Sequence, residues 1–257
     1  MIEIRPIAAD EAPGFLSLLC EVFGLDVSRA ESVFYTEPYF DLNRKWALFE
    51  KGNMRSILTT TPLEFGWGRA MGIAGVATHP KSRGRGLAQQ LIEMVLQSGK
   101  ESGESAAMLF AQSTRLYEHC GFEVVEEVIR GPLRHELGSR ESPPCARADV
   151  EAIYSRWSEA DPARLRRDDR RWRAWSWTYR IAEVAGDGYI CFESNLVREA
   201  IVSPDLERWP VYPGTDWVGM RQFSRNLGVP LIHEKFETYV MAKGFPSPPQ
   251  MFLTDQF

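Results

Sequence analysis

An α+β fold, with a mixed sheet flanked by helices and the chain divided into two lobes, is what the sequence predicts, and three observations predict it. The first half runs as a strand meander followed by helix, strand, helix and strand, rather than in the regular alternation of an α/β barrel. The second half reuses part of that order. Between the two, Leu137-Gly138-Ser139-Arg140-Glu141-Ser142-Pro143-Pro144 interrupts the periodic pattern with small, polar and proline residues. The expected domains are therefore residues 1–137 and 146–257.

The elements follow in order. Residues 2–7 alternate as a strand, and Asp10 stands where it would cap a helix carrying Phe15, Leu18, Leu19, Val22 and Phe23. Past Lys45, residues 46–50, 56–64 and 69–78 form a meander broken at Lys51-Gly52-Asn53 and at Phe65-Gly66-Trp67-Gly68. Leu87, Leu91, Met94 and Val95 share one face of a helix over 86–99, and a short strand over 106–111 follows. A short helix with Leu116 and Tyr117 ends at Gly121, and residues 122–129 close the lobe as a strand. In the second half, 148–177 is expected to be largely helical. Strands are expected at 188–193, 197–202 and 230–234, with a helix carrying Trp217, Val218, Met220, Phe223 and Leu227 and a last helix ending at Gly244. Cys120-Gly121-Phe122 is echoed by Lys243-Gly244-Phe245, each expected to lead into a strand, which suggests a second copy of the first lobe.

At 257 residues, 44% hydrophobic and 25% charged, the composition is globular and excludes disordered or fibrous chains. No apolar run reaches the roughly 20 residues of a membrane-spanning helix. Met1-Ile2-Glu3-Ile4-Arg5 has neither the basic flank nor the apolar core of a signal peptide. A cytoplasmic location and no membrane partner are expected. Cys20, Cys120, Cys145 and Cys191 show no metal-ligand or redox spacing, so no metal and a reducing compartment are expected. A net charge of −5 gives no overall attraction for nucleic acid and suits a cationic small-molecule partner better than a polyanion.

The most specific chemical signal is Gly75-Val76-Ala77-Thr78-His79-Pro80-Lys81-Ser82-Arg83-Gly84-Arg85-Gly86-Leu87-Ala88, a strand leading through a glycine-rich basic loop into a helix. Backbone N–H groups at a helix start are unsatisfied and carry the positive end of the dipole, so a pyrophosphate there meets several donors. Gly84 and Gly86 let the backbone come close, Ala88 keeps the first turn narrow, and Arg83 and Arg85 add forked donors. Taken alone, the loop equally fits a capped helix with a solvated basic turn. The sequence supplies neither the Gly-x-Gly-x-x-Gly of a dinucleotide fold nor the Gly-Lys-Ser/Thr of a P-loop.

The spacing Arg83-x-x-Gly86-x-Ala88 after an apolar strand resembles the pyrophosphate-binding signature of the GNAT acyltransferase superfamily. The segment Leu109-Phe110-Ala111-Gln112-Ser113-Thr114-Arg115-Leu116-Tyr117-Glu118-His119-Cys120-Gly121-Phe122 resembles that superfamily's fifth strand and following helix, with its Tyr-x-x-x-Gly-Phe ending. The resemblance implies tandem GNAT lobes, the first catalytic and the second degenerate, and acetyl-CoA as cosubstrate. It places Val76, Thr78, Arg83, Gly84, Arg85, Gly86, Leu87, Ala88 and Ser113 at the cofactor. The pantetheine would pair along Val76 to Thr78 like an added strand, and the Val76 N–H would meet the developing oxyanion.

Tyr117 is then the general acid. A departing thiolate needs a proton, and a phenol of ordinary pKa about 10 is close to an alkyl thiol in acidity. By residue type alone, Tyr117 also fits a ring packing its helix on the sheet. The base is open. Many superfamily members carry an acid on the strand before the loop, whereas Ala70-Met71-Gly72-Ile73-Ala74-Gly75 has none. Glu64, Asp26 and Glu37 remain, each expected to be a surface acid.

The run Gly72 to Pro80, the Arg-Gly-Arg-Gly-Leu-Ala loop and Phe110 to Phe122 are particularly similar to the enhanced-intracellular-survival (Eis) acetyltransferases. Those proteins follow the catalytic lobe with a helical segment rich in arginine and tryptophan and then a degenerate lobe. Here the matching stretches are Val150 to Trp157 and Arg164 to Trp172. Family members continue into a sterol-carrier-like domain for which this chain has no room, so the resemblance is to a shortened form, expected as monomer or homo-oligomer. In the family a terminal carboxylate, often on phenylalanine, is thought to act as base, which implies Phe257. Tyr212-Pro213-Gly214-Thr215-Asp216 replaces the pyrophosphate loop in the second lobe, and Tyr239 is one position out of step with Tyr117. The second lobe is therefore expected to leave coenzyme A alone and to wall the acceptor pocket or stabilise the first lobe.

The expected activity is N-acetylation of a small primary amine by direct attack in a ternary complex, since no paired histidine and base make Cys120 a nucleophile. A non-catalytic acyl-CoA sensor or scaffold is the alternative. Arginines interleaved with Trp172, Trp175 and Trp177 raise nucleic-acid binding as a further reading, but Asp161, Asp168 and Asp169 dilute the cluster and no nucleic-acid partner is expected.

Overall fold

The computed structural model describes residues 1–134, 142–178, 181–203, 206 and 209–257. Strand β1 (Ile2–Pro6) leads through a 3₁₀ turn (Ala9–Glu11) into α1 (Ala12–Phe23) and α2 (Val27–Phe34). Asp10 lies inside the turn and does not cap α1. Glu11 closes the turn by accepting from the Ala8 N–H at 2.7 Å, and Pro13, which has no N–H to leave unsatisfied, opens the helix. The meander is β2 (Lys45–Glu50), β3 (Asn53–Phe65) and β4 (Gly68–Thr78). Then come α3 (Leu87–Glu101), β5 (Ala106–Ala111), α4 (Arg115–His119) and β6 (Glu123–Pro132). The turns at Lys51-Gly52 and Gly66-Trp67 are where glycine and polar residues break the alternation.

The boundary expected at 137–144 falls partly on 135–141, outside the described residues. Past it, Cys145 N–H donates to the Ala182 carbonyl and Val184 N–H to that of Pro143, so this segment borders the far edge of the sheet. The stretch expected to be largely helical carries two helices, α5 (Arg147–Glu159) and α6 (Asp169–Thr178), separated by a two-residue strand β7 (Leu165–Arg166) paired with β3. Strands β8 (Ile181–Ala185), β9 (Gly188–Glu193) and β10 (Leu196–Ile201) form a second meander.

Three expectations fail after that. Trp217, Val218 and Met220 lie on a strand, β11 (Asp216–Met220), and only α7 (Arg221–Asn226) is helical. The strand expected at 230–234 is reduced to one bridge, Leu133 to Leu231. The helix expected to end at Gly244 is β12 (Lys235–Lys243). Both misread strands are interior to the sheet. Trp217 to Met220, and Val240 to Ala242, are buried consecutively on both faces, so no alternation marks them as strand. Gly121 precedes β6 whereas Gly244 follows β12, so their echo is not a structural repeat, and Tyr239 sits on β12 opposite Ala111.

All strands join one mixed sheet in the order β1-β2-β3-β4-β5-β12-β6-β11-β10-β9-β8, with β7 beside β3. Strand β12, from the second half, inserts antiparallel between β5 and β6, and β6 in turn pairs with β11. The largest apolar cluster follows this interleaving, joining Leu63, Ala70 and Met108 of the first half to Tyr189, Trp217 and Phe252 of the second. Among the described residues, no helix is long and apolar enough to cross a membrane. No three metal-ligating side chains converge among them either.

Candidate active site

Strand β4 is irregular where the motif begins. Thr59 pairs with Ala74 and Ile57 with Ala77, so Leu58 alone faces Gly75 and Val76. This is a bulge, and its first residue, Gly75, has φ of +60°, a conformation that costs a side-chain-bearing residue about 1–2 kcal/mol. On the other edge, β4 pairs in parallel with β5 only from Ala70–Ala106 to Ile73–Leu109. Beyond Ile73 the two strands part, because β5 continues along β12 while β4 bends at the bulge. The result is an opening in the sheet bordered by Val76 to Thr78.

Past β4, the His79 ring nitrogen accepts from the Lys81 N–H at 3.2 Å and caps the turn Pro80–Ser82, leaving His79 a structural role there. Gly84 and Gly86 have φ of +74° and +72°, and Gly86 is the N-cap of α3. The first helical bond runs from Gln90 N–H to Gly86 O, so the N–H groups of Leu87, Ala88 and Gln89 lie ahead of the ladder. A Cβ added at Gly84 or Gly86 would meet no atom within 4 Å beyond its chain neighbours. The glycines border open space, a crevice of about 240 Å³ lined by Thr78, Arg83, Gly84, Gly86, Leu87, Ala88 and Leu116. Donors without helical partners beside two side-chain-free positions fit a pyrophosphate.

The two loop arginines differ. Arg83 is exposed and tied only through Nε to the Thr78 carbonyl at 3.2 Å. Arg85 is turned away into a two-point pair with Glu50, at 3.0 and 2.5 Å, and that pairing holds the Glu50 carboxyl below its ordinary range. Ser113 is exposed in the loop after β5 and is not among the residues lining the crevice.

Tyr117, on α4, is half-buried with its ring edge-on to Phe122 at 6.3 Å between centroids. Burial pushes its phenol above the ordinary value of 10, with a smaller contribution from Cys120. The phenol therefore keeps its proton through the neutral range. The Cys120 thiol is itself buried and pushed up to about 11, chiefly by desolvation, which leaves it protonated and a poor nucleophile.

Phe257 comes to the same opening. Its ring occupies the space over Gly72 so closely that a Cβ built there would fall 2.5 Å from it, and it lies 5.5 Å from the Phe110 ring. The two faces of the sheet are separable by alternation: Met71, Ile73, Ala107 and Leu109 pack with Val76 and Tyr117, whereas Ala70, Met108 and Phe110 pack with Phe257. Tyr117 and Phe257 thus approach the β4–β5 opening from opposite faces.

The acidic candidates separate as well. Glu64 is exposed at the far end of β3, and Asp26 caps α2 by accepting from Arg29 N–H at 2.8 Å. Glu37 is half-buried instead of solvated. It pairs with the buried Lys45 at 3.1 Å and, with Tyr39, Asp255 and Gln256, lines a hollow of about 140 Å³ beside the tail. Gly72 and Tyr39 were not singled out in the sequence, since neither carries a local signal of the surface it meets. Part of the arginine and tryptophan cluster faces inward: Trp172 and Trp175 are buried, and the side chains of Arg167 and Arg171 are buried with them.

Residues 3–125, just under half of the chain, match the acetyltransferase (GNAT) domain family. No curated protein sequence matches the chain. Solved structures similar to it include a GCN5-related N-acetyltransferase from Kribbella flavida, at 18% identity and TM-score 0.72, covering 94% of this chain and 70% of that one. Another, from Anabaena variabilis, shows 16% identity and TM-score 0.69 over 95% and 72% of the two chains. Eis1 from Mycobacterium abscessus shows 16% identity and TM-score 0.61 over 93% and 73%. At these identities the likeness establishes the fold, including the second half that the domain match does not reach.

Proposed function

We propose that this protein is an acetyl-CoA-dependent N-acetyltransferase that passes the acetyl group directly to a small primary amine, with Eis-type enzymes as its working relatives. The observation that carries the proposal is the opening between β4 and β5, with a glycine-capped helix start at one end and a protonated tyrosine beside it. In this reading residues 1–137 form the catalytic domain, and 146–257 contributes β12 and the tail that walls the acceptor side. The N–H groups at the start of α3, with Gly84, Gly86 and Arg83, hold the pyrophosphate of acetyl-CoA, while Leu87 and Ala88 keep the first turn against it. Arg85 joins them when it leaves Glu50. Val76 and Thr78 offer main-chain partners to the pantetheine arm, and the Val76 N–H points charge at the carbonyl oxygen as it becomes negative. Ser113 borders the arm's far side from the β5–α4 loop.

The amine nitrogen attacks the thioester carbon, the carbon–sulfur bond breaks, and the Tyr117 phenol gives its proton to the departing sulfur. Tyr117 recovers a proton from solvent. The amine's proton goes to a base on the opposite face; where Phe257 is the last residue of the protein, its α-carboxylate fills that role, and Glu37 is the neighbouring acid. Attack from one face and protonation from the other is the geometry that the two sides of the opening support.

Calorimetric titration of acetyl-CoA tests the reading, with Gly86→Glu as control because a carboxylate there fills the phosphate space. Binding that the control abolishes, followed by thiol release on adding amines, is the expected result. Well-folded protein that binds no acetyl-CoA would sink the proposal. Binding without thiol release from any amine would instead favour an acyl-CoA sensor, the reading suggested by the missing carboxylate on β4.

A further inference from the structure

The tail that carries Phe257 is fastened by a buried cluster of charges. Arg167, whose side chain has no solvent exposure, donates through Nε to both Asp255 oxygens at 3.0 and 3.1 Å and through Nη2 to Oδ2 at 2.7 Å. The same guanidinium reaches both oxygens of fully buried Glu199 on β10, at 3.1 and 2.6 Å, and the Thr254 hydroxyl at 3.0 Å. Its flat face lies 3.8 Å from the Tyr154 ring centre. Glu199 also accepts from Trp175 Nε1 at 3.1 Å and from the Tyr189 and Thr254 hydroxyls. Arg171 completes the fastening: one nitrogen donates to the Asp255 carbonyl at 3.3 Å and another to the Pro62 carbonyl on β3 at 2.8 Å.

Two arginines and two carboxylates buried together are a poor source of stability, because apolar side chains of equal volume would hold the same elements at no desolvation cost. What the ions add is direction. A forked guanidinium accepts its carboxylates in few geometries, so the cluster fixes the tail in register with β10, α6 and β3 at once. Two residues beyond Asp255, the Phe257 ring drops onto Gly72, where any side chain would collide with it. The clamp and the seat are built from opposite ends of the chain.

We infer that Asp255, gripped by Arg167 and Arg171, is the positioning residue that holds Phe257 at the β4–β5 opening, so that the second half of the chain sets the acceptor side of the site. This inference rests on the acetyltransferase reading above for its consequence in turnover, but not for the clamp itself. The test compares wild type, Asp255→Asn, Phe257→Ala and the double variant, with Arg171→Lys as a milder change should Asp255→Asn fail to fold. A single lysine amine cannot span the Pro62 and Asp255 carbonyls.

Hydrogen exchange of the amides at 253–257 reads the clamp, and exchange at least about tenfold faster in Asp255→Asn or Arg171→Lys, with the rest of the protein unchanged, is expected. Acetyl-CoA affinity should stay within about twofold, since the phosphate crevice is untouched. With spermidine as the probe amine, kcat should fall in Asp255→Asn as far as in Phe257→Ala while KM for acetyl-CoA holds, and the double variant should lose no more than either single one. Unchanged tail exchange, or losses that multiply in the double variant, would overturn the inference. Wild type that binds no acetyl-CoA would overturn the acetyltransferase reading instead, and the exchange result would still decide the clamp.

Discussion

At the end of the opening next to α3, Arg85 and Glu50 meet on the surface, with 47% and 23% of their side chains exposed, whereas at the tail end Arg167 meets Glu199 and Asp255 with essentially none. The two pairings use the same chemical groups for different ends. An exposed pair exchanges partners cheaply, so Arg85 can leave Glu50 for another anion. A buried one cannot be broken without stranding a charge, so it holds a geometry rather than a ligand. The comparison teaches that this fold keeps its exchangeable charges at the exposed rim of the opening and its fixed ones where the tail is aligned.

The sharpest way to break this comparison is to remove one arginine from each pair. Arg167→Met should cost about 3–5 kcal/mol in urea unfolding, because Glu199 is left buried without its cation and Asp255 keeps only Arg171; Arg85→Met should leave the urea midpoint where it is. Equal shifts for both would refute the distinction.

Next in size is Tyr117→Phe, which keeps the ring against Phe122 and removes only the proton donor. We expect kcat to fall by about 10²–10⁴-fold with acetyl-CoA affinity unchanged, read by thiol release and calorimetry. Gly75→Ala strikes the bulge that creates the opening. Its Cβ would lie 3.1 Å from Leu19 at a φ of +60°, so about 1–2 kcal/mol of stability and about tenfold or more in turnover should be lost together.

The pH profile sharpens the assignment of Tyr117. The phenol works protonated, and burial raises its pKa, so activity should show no alkaline loss from this group until above pH 10. A limb near pH 8 in kcat would point to a different acid. Smallest of all, Glu50→Gln should release Arg85 and strengthen acetyl-CoA binding by about two- to fivefold at low ionic strength, an advantage that added salt removes.

The legible part of this site is the part written in consecutive residues. Gly84 and Gly86 declare a glycine-capped helix start, and the helix expected over 86–99 and the strand over 106–111, found at 87–101 and 106–111, follow from apolar spacing. Tyr117 is placed by its motif on α4, but its half-buried, proton-holding state depends on Phe122 and on the packing around it. Asp26 and Glu37 looked alike as acidic candidates. Asp26 is a helix cap through a bond three residues along the chain, a local arrangement, whereas Glu37 becomes a neighbour of the tail only through the fold, because Asp255 and Gln256 lie far from it in sequence.

By itself, then, the sequence determined the α+β class and the strand–loop–helix around Gly84 and Gly86, since each depends on local propensity and turn residues. The tertiary structure alone decided that β12 would enter between β5 and β6, that Arg167 would be buried rather than solvated, and that Phe257 would sit on Gly72. Strand pairing and ion burial join residues far apart in the chain, and an interior strand covered on both faces leaves no alternation behind to announce its place.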